Sequence, residues 1–285
     1  MFGFLNINKP SGITSHGIIS KLRKITGIKQ IGHAGTLDPL ASGVLPVAVG
    51  KASRLIDFME EDKRYTAGLL LGKASNTYDT DGVVKDTGYR KITSEEISEI
   101  LPLFTGTIKQ IPPAFSAVHY NGKRLYEMAR KGHIPDDIPS REVIIYNLKV
   151  LDFDYEHQAL KLDVSCSKGT YIRSLVNDIG ETLKSGAVMF ELIRTKSSGL
   201  TLENSFTLTD GCRKEDISKR IINPLDVLKL PVVNANEEEY KKILNGNKFK
   251  KKGCPNGNIL IVKDNKIIAF GTVENDIIQP KRVLL

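Results

Sequence analysis

The stretch over residues 160–183 changes its hydrophobic period midway, and that switch limits the folds open to the chain. Leu160, Leu162, Val164 and Cys166 recur at every second residue, the pattern of a strand with one buried face. After a turn over 167–169, Ile172, Leu175, Val176, Ile179 and Leu183 recur at helical spacing. A strand therefore feeds directly into an amphipathic helix, and each needs a partner layer for its apolar side. Arg173 falls in the first turn of that helix.

The same periodicities sort the rest of the chain. Thr14 and Ser15 can cap a helix whose Ile18, Ile19, Leu22 and Ile25 share one face, with Lys21, Arg23 and Lys24 outward and Gly27 at its end. VLPVAV reads as a buried strand, and Tyr65, Ala67, Leu69 and Leu71 alternate as another. Thr93 and Glu96 form a capping box for a short helix, Asn121-Gly122 is a turn, and a helix over 124–131 is stopped by Gly132. Strands are expected over 141–151 and 188–196, with a short helix near 215–222. NPLDVLKLP then reads as a linker. Past it, a helix over 236–244 precedes the strand patterns NILIV, KIIAFGTV and KRVLL. The expectation is a mixed α+β domain followed by a small β-rich one.

Composition removes other classes. At 285 residues, 40% hydrophobic and 26% charged, the chain can bury a sizeable core and is neither collagenous, coiled-coil nor wholly disordered. Its richest apolar stretch, 39–50, falls short of the roughly 18 residues of a bilayer span, and no signal-peptide pattern is present, so a cytoplasmic protein without membrane contact is expected. Cys166, Cys212 and Cys254 lack CxxC spacing and are expected as packing thiols, not as a disulfide framework or metal site. The 41 Lys and Arg against 33 Asp and Glu give +8, which favours a polyanionic partner. Residues 1–56 hold seven bases, among them Lys9, Lys21 and Lys24, against one acid, Asp38. Residues 231–285 carry +4, including Lys248, Lys250, Lys251 and Lys252. These lysines are candidate contacts to an RNA backbone, although charge runs are more often solvated faces.

Asp38 is the acid that this context isolates. Pro39 disfavours helical backbone before it, and Gly32, Gly35 and Gly43 punctuate the loop GHAGTLDPLASG, so the carboxylate is displayed. An Asp-Pro pair in such a loop ordinarily makes no more than an Asx-turn. The wider sequence points further. GHAGTLDPLASGVLPVAVGKASRL, KRYTAGLLLG and CSKGTYIRSL, together with NINKPSGITS, QIPPAFSAVHYNGKRLYEMARKG and IIQPKRV, resemble the tRNA pseudouridine synthase B family over nearly the whole chain.

The resemblance implies a pseudouridine synthase fold over residues 1–228, with a central mixed β-sheet and flanking helices, and a C-terminal PUA domain over 229–285 that binds RNA. It implies isomerisation of the uridine at position 55 of the tRNA T-loop by base flipping. The partner would be the tRNA T-arm, with no cofactor, no metal and no obligatory protein partner, the enzyme acting as a monomer. Asp38 falls on the family's catalytic aspartate, Arg173 on the arginine that pairs with it, and Tyr65 on the tyrosine that stacks on uracil. His33 falls on the histidine that fills the gap left by the flipped base, while Tyr171 and Leu192 match residues lining the uracil pocket. Taken alone, Arg173 would be a surface residue, Tyr65 and Leu192 core packing, and His33 a polar loop residue.

The chemistry asks for these residue types. Pseudouridine formation breaks the N1 glycosidic bond, turns the uracil and joins C5 to the same C1′, with no net redox change. A carboxylate can serve as nucleophile or base, and a bidentate arginine would keep it charged and oriented. Asn8, Asn76, His119 and Ile193 depart from the family pattern. The competing readings are a guide-RNA-dependent relative, a tRNA-binding folding factor, and a carboxylate glycosidase. The last would want a second acid at a set distance, which residues 1–56 do not supply.

Overall fold

The alternating run at Tyr65 is a central strand of a nine-stranded sheet. The computed structural model describes residues 1–135 and 137–284. The main path across the sheet runs Gly3–Lys9, Ser42–Val49, Ala187–Ser197, Lys63–Leu71, Ala159–Cys166, Arg141–Asp154 and Gly106–Gln110. Ile31–His33 adds to Ser42–Val49, and Leu200–Thr201 to Ala187–Ser197. The sheet is mixed because Ser42–Val49 runs parallel to Ala187–Ser197, with Ile193 beside Ser42 and Arg194 beside Gly43, while the other neighbours are antiparallel.

The period switch is realised as expected. Leu160, Leu162, Val164 and Cys166 share a buried cluster with Tyr65, Ala67, Leu69 and Leu71. Ile172, Leu175, Val176 and Ile179 of the helix Ile172–Thr182 pack into it, as do Ile18, Ile19 and Leu22 of the helix Ser15–Thr26. Burying each such side chain contributes about 1.5–3 kcal/mol, so the sheet face and the two helix stripes stabilise one another. Thr14 caps the first helix by accepting from the Gly17 amide at 2.9 Å, and Gly27 closes it at φ 73°. The helices expected over 124–131 and 215–222 are shorter, Leu125–Ala129 and Lys214–Ser218.

The strand Gly3–Lys9 shows no alternation because both its faces are covered. Leu5 and Ile7 enter the main core, while Phe4 joins a second cluster on the other side. That cluster also corrects the expected linker. Pro224–Val227 is a helical turn, and Val227 and Leu228 are buried with Ala52, Leu55, Leu260, Phe270 and Leu284. The segment Gly50–Phe58, a 3₁₀ helix, thus carries the C-terminal sheet. Phe58 stacks on Phe270 with centroids 3.7 Å apart, and Arg282 Nη2 lies 2.9 Å from Asp57 Oδ2.

The second sheet has five strands in the order Val232–Asn234, Gly257–Lys263, Lys266–Glu274, Ile277–Val283 and Phe249–Lys250. Asn236 and Glu239 form a capping box at the start of its helix, Glu237–Leu244. No helix among the described residues is long and apolar enough to cross a membrane.

Gly43 is where the parallel pair constrains the sequence most. Its φ is +99°, and a Cβ there would lie 2.9 Å from the Arg194 nitrogen and closer still to the Arg194 carbonyl oxygen. Gly43→Ala must therefore strain the backbone and push the paired strands away from each other at once. We expect a loss of about 2–4 kcal/mol in denaturant unfolding. A variant within about 0.5 kcal/mol of wild type would mean that the strands separate freely here.

Candidate active site

The loop after Ile31–His33 is held by groups that reach it from far along the chain. Ser15 Oγ donates to the Leu37 carbonyl at 3.0 Å and accepts from the Leu37 amide at 2.8 Å. The Gly12 amide donates to the Pro39 carbonyl at 2.8 Å, and the Ala41 amide to the Asp38 carbonyl at 3.1 Å. Two buried cations complete the clamp. Arg194 donates to the carbonyls of Val44 at 2.7 Å, Gly35 at 3.0 Å and Thr36 at 3.4 Å. Lys9 Nζ donates to the carbonyls of Ile13 at 2.6 Å, Pro10 at 2.9 Å and Pro39 at 3.4 Å. Burial pulls the Lys9 ammonium down to about 8, the nearby Asp38 carboxylate opposing this and Arg194 adding to it.

This placement corrects the reading of Lys9 as an RNA contact. Its side chain is fully buried and its donors are spent on loop carbonyls, so it faces no phosphate. Lys251 is likewise committed, to Glu239 at 2.8 Å and the Asn234 carbonyl at 2.7 Å. Lys24, Lys248, Lys250 and Lys252 are exposed, as is Lys21, which lies 3.6 Å from Asp210.

Asp38 and Arg173 meet as expected, but with different geometry. Arg173 Nε lies 3.0 Å from Asp38 Oδ2, without an aligned hydrogen bond. The rest of the guanidinium turns elsewhere. Nη1 lies 3.4 Å from Asp79 Oδ2 and donates to the Thr77 carbonyl at 3.2 Å, and Nη2 donates to the Phe115 carbonyl at 3.0 Å. The expected bidentate grip on Asp38 is therefore replaced by a bridge between two carboxylates. Arg173 is 5% exposed and the Asp79 side chain 4%, whereas that of Asp38 is 35% exposed, so the open side of the cluster is the Asp38 side.

Asp79 was illegible as a site residue in a polar loop. The loop is ordered by its own hydrogen bonds: Thr77 Oγ1 donates to Asp79 Oδ1 at 2.6 Å, the Asp81 amide donates to the same oxygen at 3.2 Å, and the Val83 amide to Asn76 Oδ1 at 3.3 Å. The Thr80 amide donates to the Met189 carbonyl and the Met189 amide to the Tyr78 carbonyl, each at 3.0 Å, which pins the loop to the sheet. The amide of Asn76 thus keeps the loop closed without a carboxylate. Burial raises the Asp81 carboxyl, and the Asp79 and Asp38 charges raise it further. Arg194, the other missed residue, gives no sign in the sequence beyond a lone arginine in a strand of otherwise mixed polarity.

Tyr65 lies opposite Arg194 in the sheet and is 5% exposed. Burial pushes its phenol upward, the Arg194 charge opposing, so the ring stays neutral. Leu192, opposite Ala67, shares the cluster. Tyr171 precedes the helix Ile172–Thr182, its amide donating to Gln110 Oε1 at 2.7 Å and its carbonyl accepting from Gln110 Nε2 at 3.0 Å. The Arg141 guanidinium lies over its ring at 4.6 Å. His33 is half-buried at the head of the Asp38 loop, its Nδ1 buried without a partner. Burial, then Arg194 and His16, hold its imidazole below the usual histidine value, so it is an uncharged planar ring at neutral pH. Of the other departures, His119 is exposed on a two-residue strand and Ile193 sits in the parallel pairing with Ser42. Among the described residues no three His, Cys, Asp or Glu side chains converge as a metal cradle.

The N-terminal domain of the TruB family pseudouridylate synthases matches residues 23–172. The tRNA pseudouridine synthase B of Syntrophomonas wolfei is 40% identical, covering 99% of this chain and 98% of the relative. That of Caldanaerobacter subterraneus is 41% identical over the same shares. Among solved structures, a chain of a Cbf5-Nop10-Gar1 complex superposes with a TM-score of 0.73 at 26% identity, covering all of this chain and 85% of that one.

Proposed function

Because the chain belongs to the TruB family of pseudouridylate synthases and isomerises tRNA uridine to pseudouridine, we propose that its target is the uridine at position 55 of the T-loop and that Asp38 is the reacting carboxylate. The observation that carries this is the half-open Asp38 carboxylate, 3.0 Å from a buried Arg173, on a loop whose carbonyls two buried cations hold in place. Two routes start from an Asp38 oxygen: attack on the sugar, or removal of the C2′ proton. Each breaks the N1–C1′ bond and leaves the uracil free to turn. In each, Arg173, anchored on its far side by Asp79, stays as a fixed positive group behind the carboxylate, so little reorganises as the bond breaks.

Tyr65 and Leu192 would take the two sides of the uracil. A buried neutral phenol suits stacking, and its hydroxyl is proposed to help remove the C5 proton once the new bond has formed, although its raised pKa leaves little phenolate at neutral pH. Tyr171, fixed by Gln110, would close the pocket. Action as a monomer in the cytoplasm, without an obligatory protein partner, belongs to the same proposal. Residues 229–285 are proposed as the RNA-binding PUA domain, with Lys248, Lys250 and Lys252, and Lys21 and Lys24 in the larger domain, as phosphate contacts. The relatives near 40% identity carry the tRNA enzyme's name, whereas the Cbf5 chain is 26% identical, which favours the tRNA reading over a guide-dependent one. Incubating the protein with unmodified tRNA and mapping pseudouridine tests the proposal. Isomerisation confined to another position would overturn the site.

His33 is proposed to fill the space left by the flipped base. Extruding a stacked T-loop base costs a few kcal/mol, and a neutral planar ring recovers some of it. His33→Ala is then expected to lose about 10-fold more activity on a folded T-arm than on a flexible oligonucleotide of the same sequence, with His33→Phe losing less than His33→Ala. Equal losses on both RNAs would make His33 a general structural residue.

A further inference from the structure

The strand that carries Tyr65 begins at Lys63, and the two-residue period of a strand puts Lys63, Tyr65 and Ala67 on one face. Exposure rises along that face, from Ala67 at 0% through Tyr65 at 5% to a half-buried Lys63, so Lys63 stands at the open end, about 7 Å along the strand from Tyr65. Its side chain reaches the Asp38 loop. A Cβ placed on Gly35 would lie 3.5 Å from Lys63 Cε, 3.7 Å from Lys63 Nζ and 3.5 Å from Arg194 Nη1. Two cations therefore meet at Gly35.

They are not equivalent. Arg194 is fully buried and spends its donors on the carbonyls of Gly35, Thr36 and Val44. Lys63 makes no side-chain hydrogen bond or ion pair with any described residue, although three acids precede it directly. Glu60 is paired with Lys229 and Glu61 with Lys168, and Asp62 makes no ion pair with Lys63. Burial, with Arg194 next, pulls the Lys63 ammonium downward; Cys166 and Glu61 oppose this, and Lys168 adds to it. A lysine beside an arginine, unpaired with any of the three acids before it, has no counter-charge in contact among the described residues.

We propose that Lys63 binds a backbone phosphate of the RNA next to the target uridine, positioning the nucleotide whose base enters the pocket. This rests on the reading that uridine enters beside Asp38 and Tyr65. A base carbonyl would not fill the role, since the field at Gly35 calls for a full negative charge, and the mouth of the pocket is where the sugar–phosphate stays while the base goes inward. The phosphate would meet Lys63 Nζ beside Gly35, where any side chain would lie against the lysine and Arg194.

The test pairs variants with T-arm stem-loops carrying one uncharged methylphosphonate, either 5′ or 3′ to the target uridine. With the intact RNA, Lys63→Met should lower single-turnover kcat/KM by about 10-fold to 100-fold, mostly through KM, and reduce the salt slope of binding by about one phosphate. Lys63→Arg should restore most of it. With the methylphosphonate at the contacted position, wild type should fall by a similar factor and Lys63→Met hardly further, giving a coupling absent at the other position. Losses that add independently at both phosphates would overturn the proposal, as would a Lys63→Met effect on kcat alone with the salt slope intact. Thermal unfolding separates a structural role: removing an unpaired, half-buried ammonium should leave stability level or higher, and a drop in Tm for both variants would overturn the contact. Failure of wild type to modify intact tRNA would instead remove the underlying reading.

Discussion

Asp38→Asn is expected to fold, to bind tRNA within a few-fold of wild type, and to form pseudouridine at least about 10⁴-fold more slowly. The amide keeps the shape of the side chain, and the loop is held through the carbonyls of Gly35, Thr36, Leu37 and Pro39, none of which depends on the Asp38 carboxylate. Arg173 also keeps Asp79, the Thr77 carbonyl and the Phe115 carbonyl, so no buried charge is left unpaired. The substitution therefore isolates the reacting group from the fold around it. Single-turnover assays with enzyme in excess, beside equilibrium tRNA binding, make the measurement. A rate within 10-fold of wild type would remove Asp38 from the chemistry.

Arg173→Lys should fail in both stability and rate, because the guanidinium bridges groups that one ammonium cannot reach together. Its Nε faces Asp38 while Nη1 and Nη2 serve Asp79 and two carbonyls of separate loops. A lysine can keep the charge near one carboxylate, but it leaves the other and at least one carbonyl unsatisfied in a buried place. Breaking a buried ion pair of this kind costs about 3–5 kcal/mol, and the rate should fall by more than about 10²-fold as Asp38 loses its fixed neighbour. Denaturant unfolding and single-turnover rates read the two losses separately. Wild-type stability with a large rate loss would show that the Asp79 arm is idle. Wild-type rate with lowered stability would show that Arg173 only holds the fold.

The sequence alone determined those regions whose physics is local. The helix Ser15–Thr26 is bounded by a threonine whose hydroxyl meets a free amide and a glycine that turns left-handed, both readable from neighbouring residues. Ala159–Cys166 and Ile172–Thr182 each present one apolar face, so period and turn residues were enough to place them. The proline and glycines of its own loop display Asp38, but the resemblance to the family's motifs is what named both it and its partner Arg173 as site residues. What long-range pairing settles could not be read. Gly3–Lys9 is covered on both faces and so has no alternation, and NPLDVLKLP resembled a free linker until Val227 and Leu228 met the C-terminal sheet. Lys9 looked like one more base in a basic segment. Only the fold buried its ammonium and set the Pro39 carbonyl, 30 residues on, against it, and the same fold brought Asp79 and Arg194 to the Asp38 loop. The physical reason is that a charge's role depends on its desolvation and its partners, which are contacts between residues distant in the chain, whereas period and capping are contacts within one or two turns.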